Sequence, residues 1–416
     1  MVSIEQTQVI DKVETTAETS LKYPGITDKS ADSKDALARS ACQPDRERRL
    51  LIILNWRDWT HPQSGGAEFY LRDLSRAFVR RGYRVAWVTQ TFPSALSRET
   101  IEGIEIYRGG GKWTGYVCAN RLVKKLSHVS PKPFIIESVN TIPFLSRLYA
   151  SNPPTVLVHH VAGVELFIEV PFPISLGLYL MERIEAGIHT GLRVITSSEQ
   201  SRASLLGMGY PPEDVTVIHP AVDRAPPPSL PTHPRSGPPS FCYIGPLKRY
   251  KGVLDVIRAF AGVHESLPGA RLVIAGRGYM EKELREAVAR ANLSKAVTMH
   301  GFVSEAEKDT LLSEGDVFLY PSASEGGWSL AVLEAMQHGL PAIVTPEIGG
   351  MVGGGRGWIV PYGNPTILEQ TMILLARNPS LVKAAGTAAR DWARSISVDS
   401  AVDQFEQFFS DPSLVG

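Results

Sequence analysis

Two runs of alternating strand and helix patterns, divided by a stretch in which seven of seventeen residues are proline, leave this chain few folds to adopt. The stretch is DRAPPPSLPTHPRSGPP, residues 223–239, and its composition predicts a semi-rigid linker. Before it, RLLIILN from Arg49 is a continuous apolar run, as in a strand buried on both faces. After a loop carrying Gly65-Gly66-Ala67-Glu68, a helix pattern sets Tyr70, Leu71, Leu74 and Phe78 on one face. YRVAWVTQ (83–90), FIIES (134–138), TVLVHH (155–160) and LRVITSS (192–198) are further apolar strands that end in polar residues. Beyond the prolines the pattern restarts with SFCYIG (240–245), RLVIAG (271–276), AVTMHG (296–301), DVFLYPS (316–322) and PAIVT (341–345), with helices near 252–265 and 280–291. Strands alternating with helices predict an α/β fold with parallel sheets and ligand groups at the strands' C-terminal ends. At 416 residues the chain exceeds what one core usually organises. The expectation is two Rossmann-like, doubly wound domains facing a cleft, with that cleft as the default binding site.

The predicted domains run over residues 48–222 and 240–395, with the linker at 223–239. In the tail, 396–416, Ala401, Val402, Phe405, Phe408 and Phe409 recur at helical spacing and predict a helix packed back on the body. Residues 1–47 are rich in Ser, Thr, Lys, Asp and Glu, with Tyr23 as the only aromatic, and are expected to form a disordered extension.

Charge and cysteine use narrow the function classes. Lysine plus arginine equals aspartate plus glutamate at 43 each, which gives no support for bulk attraction to nucleic acid or membrane. Cys42, Cys118 and Cys242 show no metal-like spacing and suit a reducing cytoplasm rather than a disulfide scaffold. No cationic start leads into an apolar block, so no signal peptide is expected. Nor does any apolar run approach the roughly 18 residues of a membrane helix. The longest, PFPISLGLYLM at 171–181, is broken by proline and glycine and is expected in the core. These features predict a cytoplasmic protein without an integral membrane segment or a nucleic-acid partner.

The segment PSASEGGWSLAVLEAMQHGLP, 321–341, is the richest in chemistry. A Gly-rich turn precedes a short helix, and Glu334 lies inside that helix among Leu330, Val332, Leu333 and Met336. A carboxylate in apolar company needs a hydrogen-bonding partner, and a helix N-terminus behind glycines suits phosphate. A pocket for a phosphorylated, hydroxyl-rich ligand fits both, with Glu334 reaching its hydroxyls. A plain buried helix, whose glutamate finds a backbone or basic partner, fits equally.

Other motifs cluster at strand ends. Gly65 and Gly66 let backbone amides approach an anion, or simply make a tight turn. Gly276-Arg277-Gly278 hints at dinucleotide binding, but the next strand, AVTMHG, ends without the acidic residue that a nicotinamide site needs. The pair is therefore a turn near a nucleotide, or structural. His159 and His160 end a strand whose alternation sends them to opposite faces, so one of the two is expected to enter the cleft. Neither has an acidic or cysteine partner at ligand spacing, so no metal is expected there. Lys248, Arg249 and Lys251 could neutralise a diphosphate or form a solvated basic loop. No Asp-x-Asp pair occurs, which removes the usual carboxylate clamp for a divalent ion.

NWRDWTHPQSGGAE, the VLVHH strand, IGPLKRYKG, SEGGWSLAVLEAMQHGLP and GRGWIVPYGN together resemble the family 4 glycosyltransferases. The resemblance spans roughly residues 49–410. It implies the two-Rossmann GT-B fold and a retaining, metal-independent transfer from a nucleotide-diphosphate sugar, of UDP or GDP type, to an acceptor hydroxyl. No cofactor beyond that co-substrate is implied. Carried over, Glu334 meets the ribose hydroxyls, and Glu325 lies near the donor sugar. The amides of Trp328, Ser329 and Leu330 lie near sugar and phosphate. Lys251 meets the diphosphate, while Gly301, Phe302 and Val303 border the base. Gly65 and Gly66 lie against phosphate or acceptor, and His159 contacts the transferred sugar, with His160 as the alternate.

Two departures accompany the match. Eight residues lie between Glu325 and Glu334, one more than the family's usual spacing. Pro246 stands where the family has the arginine paired with the diphosphate lysine, which leaves Lys248 or Arg249 as the nearest substitutes. A catalytically degenerate partner or activator subunit is the alternative that these departures favour, and donor turnover by purified protein separates it from an enzyme. A GT-B phosphorylase or sugar-nucleotide epimerase is a third reading, tested by whether phosphate replaces nucleotide. The acceptor loops (56–64, 109–120 and 161–175) carry no readable code beyond Trp56, Trp59, Trp113 and Phe167, which could stack on sugar rings or pack in the core. RLVKKLSHVSPK, 121–132, is a candidate basic patch for a lipid acceptor or an ordinary solvated helix face.

Overall fold

The structure, a computed structural model, describes residues 49–111, 114–128, 133–139, 142–161, 163, 166–223 and 239–410, all within the unit Pro44–Gly416. The expected extension at 1–47, nearly all of the proline-rich stretch, and Trp113 lie outside the described residues.

The first half builds one sheet from β1 (Leu50–Leu54), β2 (Arg84–Thr89), β3 (Arg98–Ile101), β4 (Ile104–Arg108), β5 (Phe134–Val139), β6 (Thr155–Val158), β7 (Val194–Thr196) and β8 (Val215–Val217). Its order is β3-β4-β2-β1-β5-β6-β7-β8, with only the β3–β4 pair antiparallel. The second half builds another from β9 (Ser240–Ile244), β10 (Arg271–Ala275), β11 (Val297–Gly301), β12 (Val317–Tyr320), β13 (Ala342–Val344) and β14 (Gly357–Ile359), ordered β11-β10-β9-β12-β13-β14 and parallel throughout. In both, the chain winds outward from the first strand to one side, then returns and winds to the other, the doubly wound order of a Rossmann fold. The reversal falls between β1 and β5 in one sheet and between β9 and β12 in the other. Such reversal points are where α/β sheets place ligands.

Sequence pattern explains these strands directly. All five residues of β1 are buried, as expected of a central parallel strand covered on both faces. Burying each such side chain contributes about 1.5–3 kcal/mol before entropy is counted. The hairpin β3–β4 and the short β8 and β14 add edges that the apolar runs do not announce. The helix Val398–Ser410 crosses back onto the first half. Phe405 and Phe409 approach Phe78 at 6.2 and 6.3 Å, and Phe409 stacks on Phe134 at 4.5 Å.

One expectation is overturned. The run at 171–181 lies at the surface, where it opens the helix Ile174–Ile188, and its apolar residues point outward. Ile174 is 57% exposed and Leu180 51% exposed, whereas the buried residues of this helix are Ser175 and Glu185. Proline and glycine interrupt the run without bringing it inward. The polar residues occupy the inner face, so the outer one is left to the leucines and isoleucines.

Glu185 shows what that inversion costs. Its Oε1 has no hydrogen-bond partner, and burial, with Glu182 and Glu137 adding repulsion, pushes the carboxyl up to about 8. The folded state then keeps a proton that the unfolded chain releases above pH 4.5. The associated stability is complete below that pH and is lost as the pH rises through about 8. Glu185→Gln cannot ionise, so its stability relative to the parent should grow over this window by up to about 1.4 kcal/mol per pH unit. Thermal melts of both proteins at acidic and at mildly basic pH check this; a constant difference would contradict it.

Candidate functional site

The second sheet's reversal point gathers the most unusual charge arrangement. Lys251 closes the short 3-10 turn Arg249–Lys251 after β9, and Glu325 follows β12 on the adjacent strand. The Lys251 ammonium donates to Glu325 Oε1 and, at 3.1 Å, to the Tyr320 hydroxyl, and it lies 4.7 Å from the Tyr250 ring centroid. Lys251 is only 5% exposed. Burial alone would lower its pKa, but Glu325, with Tyr320 and Tyr250, outweighs it and holds the ammonium well above the usual lysine range. A permanent cation, neutralised by one carboxylate, thus sits at the mouth of the strands.

Glu334 stands two turns into the helix Leu330–Gln337, whose N-cap Ser329 accepts from the Val332 amide. Its carboxylate pairs with the Lys308 ammonium at 2.8 Å, and Lys308 also reaches Glu305 at 3.1 Å. The basic partner required by the plain-helix alternative therefore exists, on the helix Glu305–Glu314. No local pattern announces Lys308, because it is one charge among several in EAEKDTLLSE and meets Glu334 only through tertiary folding.

The two halves meet around the glycine turn between Glu325 and Trp328. Gly326 and Gly327 adopt φ of +57° and +81°, a region that side chains disfavour. A Cβ on Gly326 would stand 2.5 Å from His160 Cβ and 2.7 Å from Ser201 Oγ. Both Ser198 and Ser201, at the start of the helix Glu199–Gly207, donate their hydroxyls to the Gly326 carbonyl. The residue by which this turn exceeds the family spacing is thus engaged in contact between the halves. Trp328 adds to it: its ring stacks on His219 at 4.3 Å and 10°, and its Nε1 donates to the Pro220 carbonyl at 2.9 Å. On the other side of the junction, a Cβ on Gly66 would lie 3.9 Å from Leu330 Cδ1, so the first turns of two helices from opposite halves adjoin.

The histidines diverge. His159 Nε2 lies 2.9 Å from the Ser138 hydroxyl, and its ring meets Tyr70 edge-on at 6.1 Å. Burial, reinforced by His160, pushes His159 down to about 3, so it is neutral at physiological pH. His160 is exposed and adjoins Gly326. Gly65 donates its amide to Glu68 Oε2 at 2.7 Å, closing a capping box at the helix Gly66–Arg80. That amide is committed within the turn.

The remaining candidates scatter around this centre. Lys248 is half-buried over the Tyr250 ring at 5.8 Å, and Arg249 is exposed. Pro246, also exposed, accepts from the Tyr243 hydroxyl at 2.9 Å through its carbonyl. Gly301 ends β11 at φ +72°, Phe302 is 63% exposed with the Arg277 guanidinium 5.3 Å from its ring centroid, and Val303 packs against the core. The amides of Trp328 and Ser329 turn inward, to the Glu325 carbonyl at 3.3 Å and the Met351 sulfur at 3.3 Å, which leaves Leu330 at the helix's first position. Gly276 and Gly278 are structural, since a Cβ on either would overlap the carbonyl of Gly245 or Leu247 in the loop leaving β9. Trp56 and Trp59 pack against Tyr116 and Trp87 at 5.4 and 5.2 Å.

Comparison with known proteins agrees with this architecture. A family model described as Glycosyltransferase Family 4 matches residues 64–225, and one described as Glycosyl transferases group 1 matches 231–392. A glycogen synthase of Mycobacterium tuberculosis is 34% identical over 138 residues, which is 33% of each chain. The match thus spans about a third of that relative's length. Among solved structures, sucrose-phosphate synthase from Thermosynechococcus elongatus superposes with a TM-score of 0.70 at 18% identity, covering 89% of this chain and 100% of that one. Anabaena Alr3699/HepE, solved in complex with UDP-glucose, gives 0.68 at 19%, covering 87% and 99%. The fold is GT-B. The chain belongs to the family 4 glycosyltransferases.

Proposed function

We propose that this protein moves a sugar from a nucleotide-diphosphate sugar to an acceptor hydroxyl, with retention at the anomeric carbon and without a metal ion. The observation that carries the reading is the buried Lys251–Glu325 pair at the reversal point of the second sheet. A permanently charged ammonium there can neutralise the diphosphate as it leaves, the term that usually dominates such catalysis. Its position beside the first turn of Leu330–Gln337 adds favourable backbone dipoles. Glu334 offers a carboxylate for sugar hydroxyls, held in place by Lys308. His159, neutral and hydrogen-bonded to Ser138, can contact a sugar without adding charge. The chain has no Asp-x-Asp pair, which leaves Lys251 as the counter-charge within this site. The UDP-glucose bound by Alr3699/HepE favours a UDP-sugar as the first donor to test.

Purified protein incubated with UDP- and GDP-sugars, with and without EDTA, tests the reading. Donor turnover that survives chelation, with the product anomer matching the donor by NMR, is expected. Turnover abolished by EDTA and restored by magnesium or manganese would remove the metal-free part. Binding without turnover would favour a non-catalytic partner subunit, the reading that the exposed Pro246 supports. Phosphate-dependent turnover would point to a phosphorylase.

Glu334 has its own test. Glu334→Ala should weaken donor binding by about 1.5–3 kcal/mol, the usual value of a charge-assisted hydrogen bond. Lys308→Ala should weaken it less, since the carboxylate stays but loses its orientation. Isothermal titration calorimetry on folded variants reads both, and unchanged affinity in Glu334→Ala would remove this role.

A further inference from the structure

The inverted helix Ile174–Ile188 points to a surface that the transfer reading does not use. Leu176, Leu180 and Ile184 recur every four residues, so they form one row along the helix, and they are 38%, 51% and 61% exposed. Gly177 and Gly187 border that row, and a Cβ on either would meet open space. The apolar exposure continues into Phe167, Phe172 and Leu148. Phe167 lies 5.7 Å from Tyr179 of the same helix, and Arg147, beside Leu148, donates to the Thr190 carbonyl just past the helix's end at 2.6 Å. A contiguous apolar face of this kind on a helix whose buried residues are Ser175 and Glu185 is not what water selects.

Charge tells what covers it. Among the described residues from 114 to 190, every exposed lysine, arginine, aspartate or glutamate side chain is basic: Arg121, Lys124, Lys125, Arg147 and Arg183. The whole chain is neutral, so this is a local segregation of charge. A second copy docked on the same face across a two-fold axis would oppose like charges. An anionic lipid surface satisfies both features at once, taking the apolar row into the acyl boundary and the cations against its headgroups. No helix among the described residues is long and apolar enough to cross a membrane, so the contact is one of surface seating.

We propose that the face formed by Leu176, Leu180, Ile184, Phe172 and Leu148, with its surrounding cations, docks this protein on an anionic lipid bilayer. The mean charge of the chain gives no hint of this, because acidic residues elsewhere cancel the patch. The basic stretch that begins at Arg121 then supplies part of the electrostatic contact, and the apolar helix supplies the hold.

Sedimentation of the full-length protein with phosphatidylcholine vesicles, and with vesicles of phosphatidylcholine mixed with phosphatidylglycerol, reads the proposal directly. The protein should pellet with the mixed vesicles, and less so as salt rises. Lys124→Glu combined with Lys125→Glu should lower the partition by about fivefold or more per residue changed. Leu180→Glu combined with Ile184→Glu should abolish pelleting. Melting temperature and nucleotide-sugar affinity of each variant confirm that it is folded, and Leu180→Ser replaces the double variant if that one fails to fold. A parent that stays in the supernatant with both vesicles overturns the proposal, as does a folded Leu180→Glu, Ile184→Glu variant that binds like the parent. A parent dimer that this variant dissolves, seen by analytical ultracentrifugation, would assign the face to a second copy instead. None of these readouts involves sugar transfer, so failure here is distinguishable from failure of the transfer reading.

Discussion

Replacing Lys251 by methionine should abolish sugar transfer and lower the melting temperature, and adding Glu325→Gln should restore the melting temperature alone. The two effects have different origins in one contact. Lys251 and Glu325 have side chains only 6% and 12% exposed, so each depends on the other for its charge. Removing one partner of a buried pair leaves an uncompensated charge, at a cost of about 3–5 kcal/mol. Replacing both with uncharged groups of similar shape is often neutral or stabilising. The double variant should therefore melt near the parent.

Transfer should not return with it. If Lys251 neutralises the leaving diphosphate, its loss raises the barrier by about 2.7–4 kcal/mol, roughly 100- to 1,000-fold in kcat, by analogy with losing one preorganised donor. Glu325→Gln alone removes the internal counter-charge and leaves Lys251 free for phosphate, so it should tighten binding of the bare nucleotide diphosphate even where it harms turnover. Steady-state rates and differential scanning calorimetry on the three variants test the scheme. A double variant that recovers both stability and transfer would show that the pair is only structural. Pro246→Arg serves as the companion: transfer that first appears with this change would mean that the missing arginine had silenced the site.

What the sequence makes legible, and what it does not, follows from which interactions are local. Continuous apolar runs such as LLIIL in β1 announce buried parallel strands because burial on both faces leaves no room for alternation. The polar residues after those runs mark the strand ends where Lys251, Glu325 and the histidine pair stand. The hairpin β3–β4 escapes the pattern because Arg98 and Glu105 pair with each other at 3.1 Å along an edge, so the strands read as charged loop. Lys308 escapes it because its partner lies 26 residues away and nothing in its own helix marks it out. The apolar run at 171–181 misleads for a different reason. Hydrophobicity predicts withdrawal from water, and a run can meet that condition at an interface as well as in a core.

Trp328→Ala should be the most destabilising single change in the junction between the halves, at about 3–5 kcal/mol, the usual cost of emptying a buried tryptophan site. The side chain is 9% exposed and works in three directions. It stacks on His219, donates to the Pro220 carbonyl, and lies 5.8 Å from Trp392 on the helix Pro379–Arg394. His219 and Pro220 belong to the chain leaving the first half, whereas Trp392 belongs to the second, so the indole is wedged between them. Trp328→Phe keeps an aromatic ring against His219 but leaves the Pro220 carbonyl without its donor, which should cost about 1–3 kcal/mol. The order alanine, phenylalanine, parent in rising melting temperature is therefore expected. Donor binding should follow the same order, because Trp328 ends the turn that begins at Glu325, and its amide donates to the Glu325 carbonyl. Loosening that turn displaces the carboxylate that holds Lys251. Calorimetric melts and nucleotide-sugar titrations of the two variants give both orders. A Trp328→Ala variant that melts with the parent would mean that the halves are held together by the Ser198 and Ser201 contacts to Gly326, with the tryptophan along only as packing.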